Sequence, residues 1–203
     1  MEQEQGRYAP HVRPINEMVD VLRDQDGRGW MPHVAPWHGG TEARVLSVLR
    51  DPGPRTQEGT GSGFLCVENN DPTAELQAQL FERAGIAPRD VTPWNAYPWY
   101  INREPKTAEL QAGAEVLSRL LGLMPKVQIV LLQGGDAQRG WRRLVKAHPE
   151  AVRDRTLEVF SSYHPSPQAL FVPDPKERAR RAQHRIDTCQ KIGDALRRGT
   201  KQP

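Results

Sequence analysis

An acidic residue and a histidine each follow a strand-like segment of this chain, and together they form a candidate catalytic pair. Asp51 comes directly after residues 44–50 (RVLSVLR), and His164 lies three residues beyond residues 157–161 (LEVFS). In a parallel sheet the carboxyl ends of the strands share one edge and line one crevice. A carboxylate at that edge can orient water, and an imidazole can donate a hydrogen bond to a leaving group.

The residues beside Asp51 and His164 favour a role in a functional site over a purely structural one. Asp51 opens Asp-Pro-Gly, which alone is an ordinary turn, but its position after the first strand favours a site residue. A lone histidine is more often structural, whereas His164 opens His-Pro-Ser-Pro, in which two prolines stiffen the backbone around Ser166. Such a loop can hold a phosphate with its hydroxyl and amides while the histidine points into the crevice.

Two further residues can recognise a planar ring. Asn95 ends the second strand, where it either caps a turn or presents both a donor and an acceptor to a ligand. That amide matches the O4 and N3–H edge of uracil. Phe64 follows Gly-Ser-Gly and is either a core anchor for the long loop around it or a surface on which an extruded base stacks.

Strands must alternate with helices to deliver these residues to one edge. Apolar, β-branched runs predict strands at residues 43–49, 91–96, 127–132 and 157–161. Amphipathic spacing predicts helices at residues 15–23, 73–84, 107–121, 135–148 and 175–198. This order is typical of an α/β fold, and we expect a three-layer α/β/α sandwich with a central four-stranded parallel sheet.

The length of 203 residues fits one domain, with an N-terminal helix and arm at residues 1–40 and an α/β core at residues 41–203. Trp30 and Trp37 in the Gly- and Pro-rich part of the arm indicate that it packs on the core. The turn Gly134-Gly135-Asp136, after the third strand, is interpreted as a strand-to-helix connection without chemistry.

Composition limits the partners and cofactors. Lys and Arg number 28 against 25 Asp and Glu, a net charge of +3, but nine basic residues fall between positions 176 and 201. That tail is either a solvated helix or one that faces phosphates. Two distant cysteines cannot supply the four thiolates of an ordinary iron–sulfur cluster and are expected to be free thiols in a reducing cytosol. No run reaches the ~20 apolar residues of a membrane span, so we expect a cytoplasmic protein.

Taken in order, Asp-Pro, the downstream Phe64, the strand-end Asn95 and His-Pro-Ser-Pro resemble the uracil-DNA glycosylase superfamily, in a branch without an iron–sulfur cluster. The resemblance covers roughly residues 44–170. It implies a monofunctional glycosylase of base-excision repair, which hydrolyses the N-glycosidic bond of uracil or a related deaminated or 5-substituted base in DNA. It implies neither a metal nor another cofactor, and a monomer is the default expectation.

The same resemblance implies roles for individual residues. Asp51 activates water and stabilises the sugar cation, and His164 donates a hydrogen bond to the departing base. The residues implied in substrate binding are Arg50, Pro52, Gly53, Gly63, Phe64 and Asn95. Those implied in DNA binding are Arg55, Ser166, Pro167 and Gln168.

The chain departs from the family pattern at three positions. Arg50 stands where the uracil-specific enzymes have glutamine, and Gly53 replaces the tyrosine that blocks the methyl group of thymine. Gly53 therefore leaves room for 5-substituted uracils. Gln168 occupies the place of an apolar wedge, a task that Leu170 or Phe171 would take over.

Three other interpretations remain open. The chain can be a non-catalytic, nucleic-acid-binding member of the same superfamily. It can be a different α/β enzyme that uses residues 59–63 (GTGSG) as a phosphate cradle, although the segment lacks the P-loop lysine. A metal site at His33 and His38 is the weakest of the three, because no third ligand is evident.

Overall fold

The computed structural model of this chain describes residues 2–67 and 69–199. The helices are α1 (Glu2–Gln5), α2 (Arg13–Leu22), α3 (Pro72–Ala84), α4 (Thr107–Leu123), α5 (Gly135–Ala147), α6 (Glu150–Arg153) and α7 (Pro175–Gly199). The strands are β1 (His33–Val34), β2 (Val45–Leu49), β3 (Phe64–Leu65), β4 (Val91–Asn95), β5 (Ile129–Gln133) and β6 (Glu158–Ser162).

The central sheet has four parallel strands in the order β4-β2-β5-β6. This confirms the predicted α/β sandwich and its four-stranded parallel sheet. In the register, Leu49 pairs with Asn95 and Leu132 pairs with Ser161. All four strands therefore end together at one edge, which brings the loops after them into one region.

The two faces of the sheet bury different helices. Val130 and Leu132 of β5 pack in a core with residues of α2, α4 and α5, whereas Ile129 and Leu131 pack in a second core with residues of α3 and α7. Both faces are covered, which explains why β2 and β5 consist of nearly continuous apolar residues.

Strand β5 extends one residue beyond the predicted apolar run, to the polar Gln133. The side-chain amide of Gln133 donates to the hydroxyl of Ser47 at 2.9 Å, and Gln77 of α3 donates to the same hydroxyl at 3.0 Å. These bonds satisfy polar groups that lie inside the domain and allow the strand to end on a buried glutamine.

A second, two-stranded parallel sheet joins the N-terminal arm to the long loop after β2. His33 pairs with Phe64 and Val34 pairs with Leu65. Strands of two residues are too short to produce a periodic pattern, so the sequence predicted only a loop here. The pairing packs the arm on the core and fixes the loop that leads to the carboxyl edge.

Helix α3 illustrates how local sequence sets the boundaries. The Asp71 side chain accepts hydrogen bonds from the amides of Thr73 and Ala74, and the helix ends at Gly85, which has φ +69°. Across residues 2–67 and 69–199, none of the helices combines the length and the apolar character that crossing a bilayer would require.

Candidate active site

A cavity of about 600 Å³ opens at the carboxyl edge of the central sheet. Eight of the twelve site residues predicted from the sequence line it. They are Arg50, Asp51, Pro52, Gly53, Asn95, His164, Ser166 and Gln168. The shared carboxyl edge of the strands thus brings the predicted acid, imidazole and amide to a single cavity wall.

Asp51 is fixed through both oxygens of its carboxylate. The side chain is only 3% exposed; Arg50 Nε donates to Oδ1 at 2.5 Å and the backbone amide of Asn102 donates to Oδ2 at 2.9 Å. Burial raises the pKa of Asp51, and the adjacent Arg50 guanidinium opposes that rise. The result is an oriented acid whose remaining lone pairs can bind water.

Asn102 was not predicted to belong to the site. It lies in the loop after β4 with φ +50°, the left-handed region, and it lines the cavity. Asparagine is one of the few residues that adopts this conformation readily. Its contribution to Asp51 comes from the backbone amide, which leaves no signal in the side-chain pattern.

His164 is held as a neutral hydrogen-bond donor. Its Nδ1 accepts a hydrogen bond from the backbone amide of Ser166 at 3.1 Å, so in the neutral ring the proton is assigned to Nε2. Burial, together with the nearby charges of Arg50 and Arg185, lowers the pKa of His164 to about 4. The ring is therefore uncharged near neutral pH and has one N–H to offer.

The turn after β5 shapes the space around this imidazole. Gly134 has φ +95°, and a Cβ atom added there would lie 3.2 Å from His164 Cβ. Gly134, Gly135 and Asp136 all line the cavity. The turn to which the sequence assigned no chemistry therefore makes room for the histidine.

Asn95 contributes an amide to the cavity wall. The residue is 2% exposed, and its Oδ1 finds no hydrogen-bond partner among the residues that the structure describes. The Asn95 side chain can therefore accept an N–H from a ligand through Oδ1 and donate through its amide nitrogen.

Phe64 lies in the core, which is one of the two positions that its sequence context allowed. Its ring is 2% exposed and packs with His33, at 6.1 Å between ring centroids, and beneath the Arg7 guanidinium. It is absent from the residues that line the cavity. Phe64 is thus a core anchor here, and it cannot stack on a base in the cavity without leaving these neighbours.

Gly63, Arg55 and Pro167 also lie off the cavity wall. The Gly63 carbonyl accepts from the His33 amide at 3.1 Å, as part of the pairing between β1 and β3. Arg55 and Pro167 are exposed, and each is adjacent in the chain to residues that line the cavity.

The glycine-rich segment 59–63 does not form an open phosphate cradle. The Gly61 amide donates to Gln57 O at 2.7 Å, and the Ser62 amide donates to Arg55 O at 2.9 Å. A Cβ atom on Gly61 would lie 2.0 Å from the Arg55 carbonyl oxygen. The segment folds back on its own backbone, which uses amides that a phosphate would need.

The two arm histidines have structural partners. His33 contacts Asp20 through Nε2 at 2.7 Å and Arg23 through Nδ1 at 2.9 Å, and His38 Nε2 accepts from the Val67 amide. No group of three or more His, Cys, Asp or Glu side chains suited to a metal occurs within residues 2–67 and 69–199. The metal interpretation therefore finds no support in this part of the chain.

A buried arginine from α7 holds the histidine loop. Arg185 is 3% exposed and donates through Nη2 to the backbone carbonyls of His164 and of Ser166, the latter at 2.9 Å. Burial lowers its pKa. The sequence left the basic tail as either solvated or phosphate-facing, and Arg185 is neither, because it is buried against backbone carbonyls. Composition alone does not distinguish a buried arginine from an exposed one.

Residues 36–183 match the model of the family described as the Uracil DNA glycosylase superfamily. The matched range includes Asp51, Asn95 and His164 and every strand of the central sheet. A search of curated proteins found no match.

Proposed function

Because this chain belongs to the uracil DNA glycosylase superfamily, we propose that it hydrolyses the N-glycosidic bond of uracil, or of a related deaminated or 5-substituted base, in DNA. Membership of the family supports glycosylase-type DNA repair and binding of DNA. The observation that carries the finer proposal is the convergence, on one cavity wall, of a buried acid, a neutral imidazole and an amide oxygen that accepts no hydrogen bond from the described residues.

Asp51 acts on the sugar. As the glycosidic bond breaks, the deoxyribose becomes cationic, and the carboxylate stabilises that charge and orients the attacking water. The two hydrogen bonds from Arg50 and Asn102 hold the carboxylate in one orientation before substrate arrives. A preset orientation lowers the reorganisation needed in the transition state.

His164 acts on the departing base. Negative charge develops on the base as it leaves, and the Nε2–H of the neutral imidazole donates a hydrogen bond to uracil O2. Preorganised donors of this kind supply a few kcal/mol of transition-state stabilisation. The low pKa supports donation from a neutral ring rather than from a cation.

Asn95 reads the edge of the base. Its amide N–H₂ donates to O4, and its Oδ1 accepts from N3–H, which satisfies the acceptor left open in the wall. Cytosine presents the opposite pattern at these two positions. This arrangement therefore favours uracil over the normal pyrimidine from which it arises by deamination.

Access to the bond requires that the nucleotide leave the base stack. Ser166 and Gln168 line the cavity and are the proposed contacts to the DNA backbone, and Phe171, 76% exposed, is the proposed wedge that fills the space left in the duplex. Leu170 is partly covered, so Phe171 is the better of the two candidates that the sequence offered.

The proposal is tested with labelled oligonucleotides that each contain one uracil, hypoxanthine or xanthine, single-stranded or in mismatched duplexes. Alkali reveals abasic sites. We expect cleavage at uracil by the wild type, and a loss of orders of magnitude in Asp51→Asn with DNA binding retained. Asp154→Asn, at an exposed position outside the cavity, is the matched control. Full turnover by Asp51→Asn would overturn the assigned role.

One observation favours the alternative of a non-catalytic relative. The Asp51 carboxylate already pairs with its neighbour Arg50, where the uracil-specific enzymes carry a neutral glutamine. The same assay separates the two proposals, because the non-catalytic relative would bind the oligonucleotides and leave every strand intact.

A further inference from the structure

Three arginines on α7 share one face of that helix. Arg178, Arg181 and Arg185 are three and seven residues apart, the spacing that stacks side chains on one side of an α-helix. All three donate hydrogen bonds to backbone carbonyls of a single segment, residues 164–172. We call these residues the arginine row.

The contacts follow the segment in order. Arg185 reaches the carbonyls of His164 and Ser166, Arg181 reaches that of Ala169 at 3.1 Å, and Arg178 reaches that of Val172 at 3.0 Å. The segment's own backbone bonds, such as Phe171 N to Gln168 O at 3.0 Å, span only two or three residues. The row therefore links the segment to a long helix that packs on the sheet.

The segment carries one proposed functional residue near each end. His164 begins it, inside the cavity, and Phe171 stands exposed close to its other end. Arg185 contacts the carbonyl of His164 itself, whereas Arg181 and Arg178 contact the carbonyls on either side of Phe171. The two ends are thus held by different members of the row.

We propose that the arginine row positions the two ends of this segment for base excision: Arg185 sets the imidazole of His164, and Arg181 and Arg178 hold the exposed Phe171 ready for DNA. This inference rests on the proposed function. The burial of Arg185 supports it, since no acidic partner is found among the described residues and backbone carbonyls alone compensate the buried charge. A segment held in place before binding loses less conformational freedom on contact with DNA.

The kinetic test asks whether substitutions at the two ends of the arginine row change different constants, kcat at Arg185 and KM at Arg181 and Arg178. Arg185→Met is expected to lower kcat for a uracil duplex, and the single-turnover rate constant of base release, by about tenfold or more with little change in KM, because the leaving-group donor is displaced. Arg181→Met and Arg178→Met are expected to raise KM for duplex DNA by about three- to tenfold while kcat holds. Lys191→Met, on an exposed position of the same helix, is the control.

Arg185→Lys is a control for simple misfolding. It keeps the positive charge but replaces the forked guanidinium with one compact ammonium group. We expect its kcat to fall between those of wild type and Arg185→Met. Nitrogen-15 spectra of the imidazoles give a second measurement: the His164 Nε2–H tautomer of the wild type should lose its single-tautomer signal in Arg185→Met and keep it in Arg181→Met.

Three results test the proposed role of the arginine row. Lower melting temperatures in all three variants, with kcat and KM unchanged, would show that the row only stabilises the fold and would overturn the inference. An unchanged His164 signal in Arg185→Met would do the same. If the wild type itself releases no base, the proposed function falls, and the inference then stands or falls on the imidazole spectra and on duplex affinity.

Discussion

The Nε–H of Arg50 donates to Oδ1 of Asp51 at 2.5 Å, so neighbouring residues at the end of β2 form an ion pair inside the cavity. Burial of the carboxyl raises the pKa of Asp51, and this guanidinium is the main opposing influence. Arg50 therefore keeps the proposed catalytic acid ionised to lower pH than its burial alone would allow.

Replacing Arg50 with glutamine should shift the pH dependence of base release. Loss of the hydrogen bond and of the positive charge raises the pKa of Asp51, so the acidic limb of the single-turnover profile should move up by about one pH unit or more. Arg142→Gln, on an exposed position of α5, should leave the profile in place. Superimposable profiles for wild type and Arg50→Gln would disprove this influence on Asp51.

The low pKa of His164 predicts an acid-dependent loss of stability. Between pH 6.5 and about 4 the unfolded chain takes up a proton on this histidine and the folded chain does not, so stability is lost as pH falls through that window. The contribution is up to about 3 kcal/mol. Urea unfolding should show that the free energy of unfolding falls less between pH 7 and pH 4.5 in His164→Gln than in the wild type. Equal differences would contradict the low pKa in the folded state.

Gly134→Ala should damage the site through His164. Alanine is strained at φ +95°, and its methyl group would press on His164 Cβ. We expect kcat to fall about tenfold or more and stability to fall by about 1–3 kcal/mol. Gly29→Ala is a matched control because Gly29 has φ +96°, lies outside the cavity, and a Cβ atom there meets nothing within 4 Å. Equal kinetics for the two variants would rule out the proposed crowding.

Gly53 should set the size of the accepted base. A Cβ atom at this position meets nothing within 4 Å, and the backbone has φ −75°, so a larger side chain can be introduced without backbone strain. Gly53→Tyr should reduce excision of 5-hydroxymethyluracil about tenfold more than excision of uracil. The control is Gly122→Tyr, also at an open glycine but on α4. A parallel loss on both bases would refute the size argument.

The elements and the convergence of the site were predictable because both depend on local patterns. Long apolar runs such as β5 predict buried parallel strands, and the chain order of strands and helices then brings the loops after Leu49, Asn95 and Ser162 to one edge. Asp51, Asn95 and His164 lie on the cavity wall for that reason.

The partners of these residues were not predictable because they depend on long-range contacts. Asn102 acts through a backbone amide, Arg185 is indistinguishable by type from the exposed arginines around it, and Phe64 fits a core and a stacking surface equally well. Phe64 lies in the core because it pairs with His33, 31 residues earlier, in the two-residue pairing of β1 with β3. Single-sequence patterns carry no information on such contacts.

The contact between Arg185 and the loop of His164 also orders events during synthesis of the chain. The ribosome completes every strand of the sheet, and both ends of the cavity, before it adds α7. Until that helix docks, the carbonyls of His164 and Ser166 lack their hydrogen bonds from Arg185. A nascent or prematurely terminated chain can thus contain the whole cavity wall and still lack the arginine that we propose to position the imidazole.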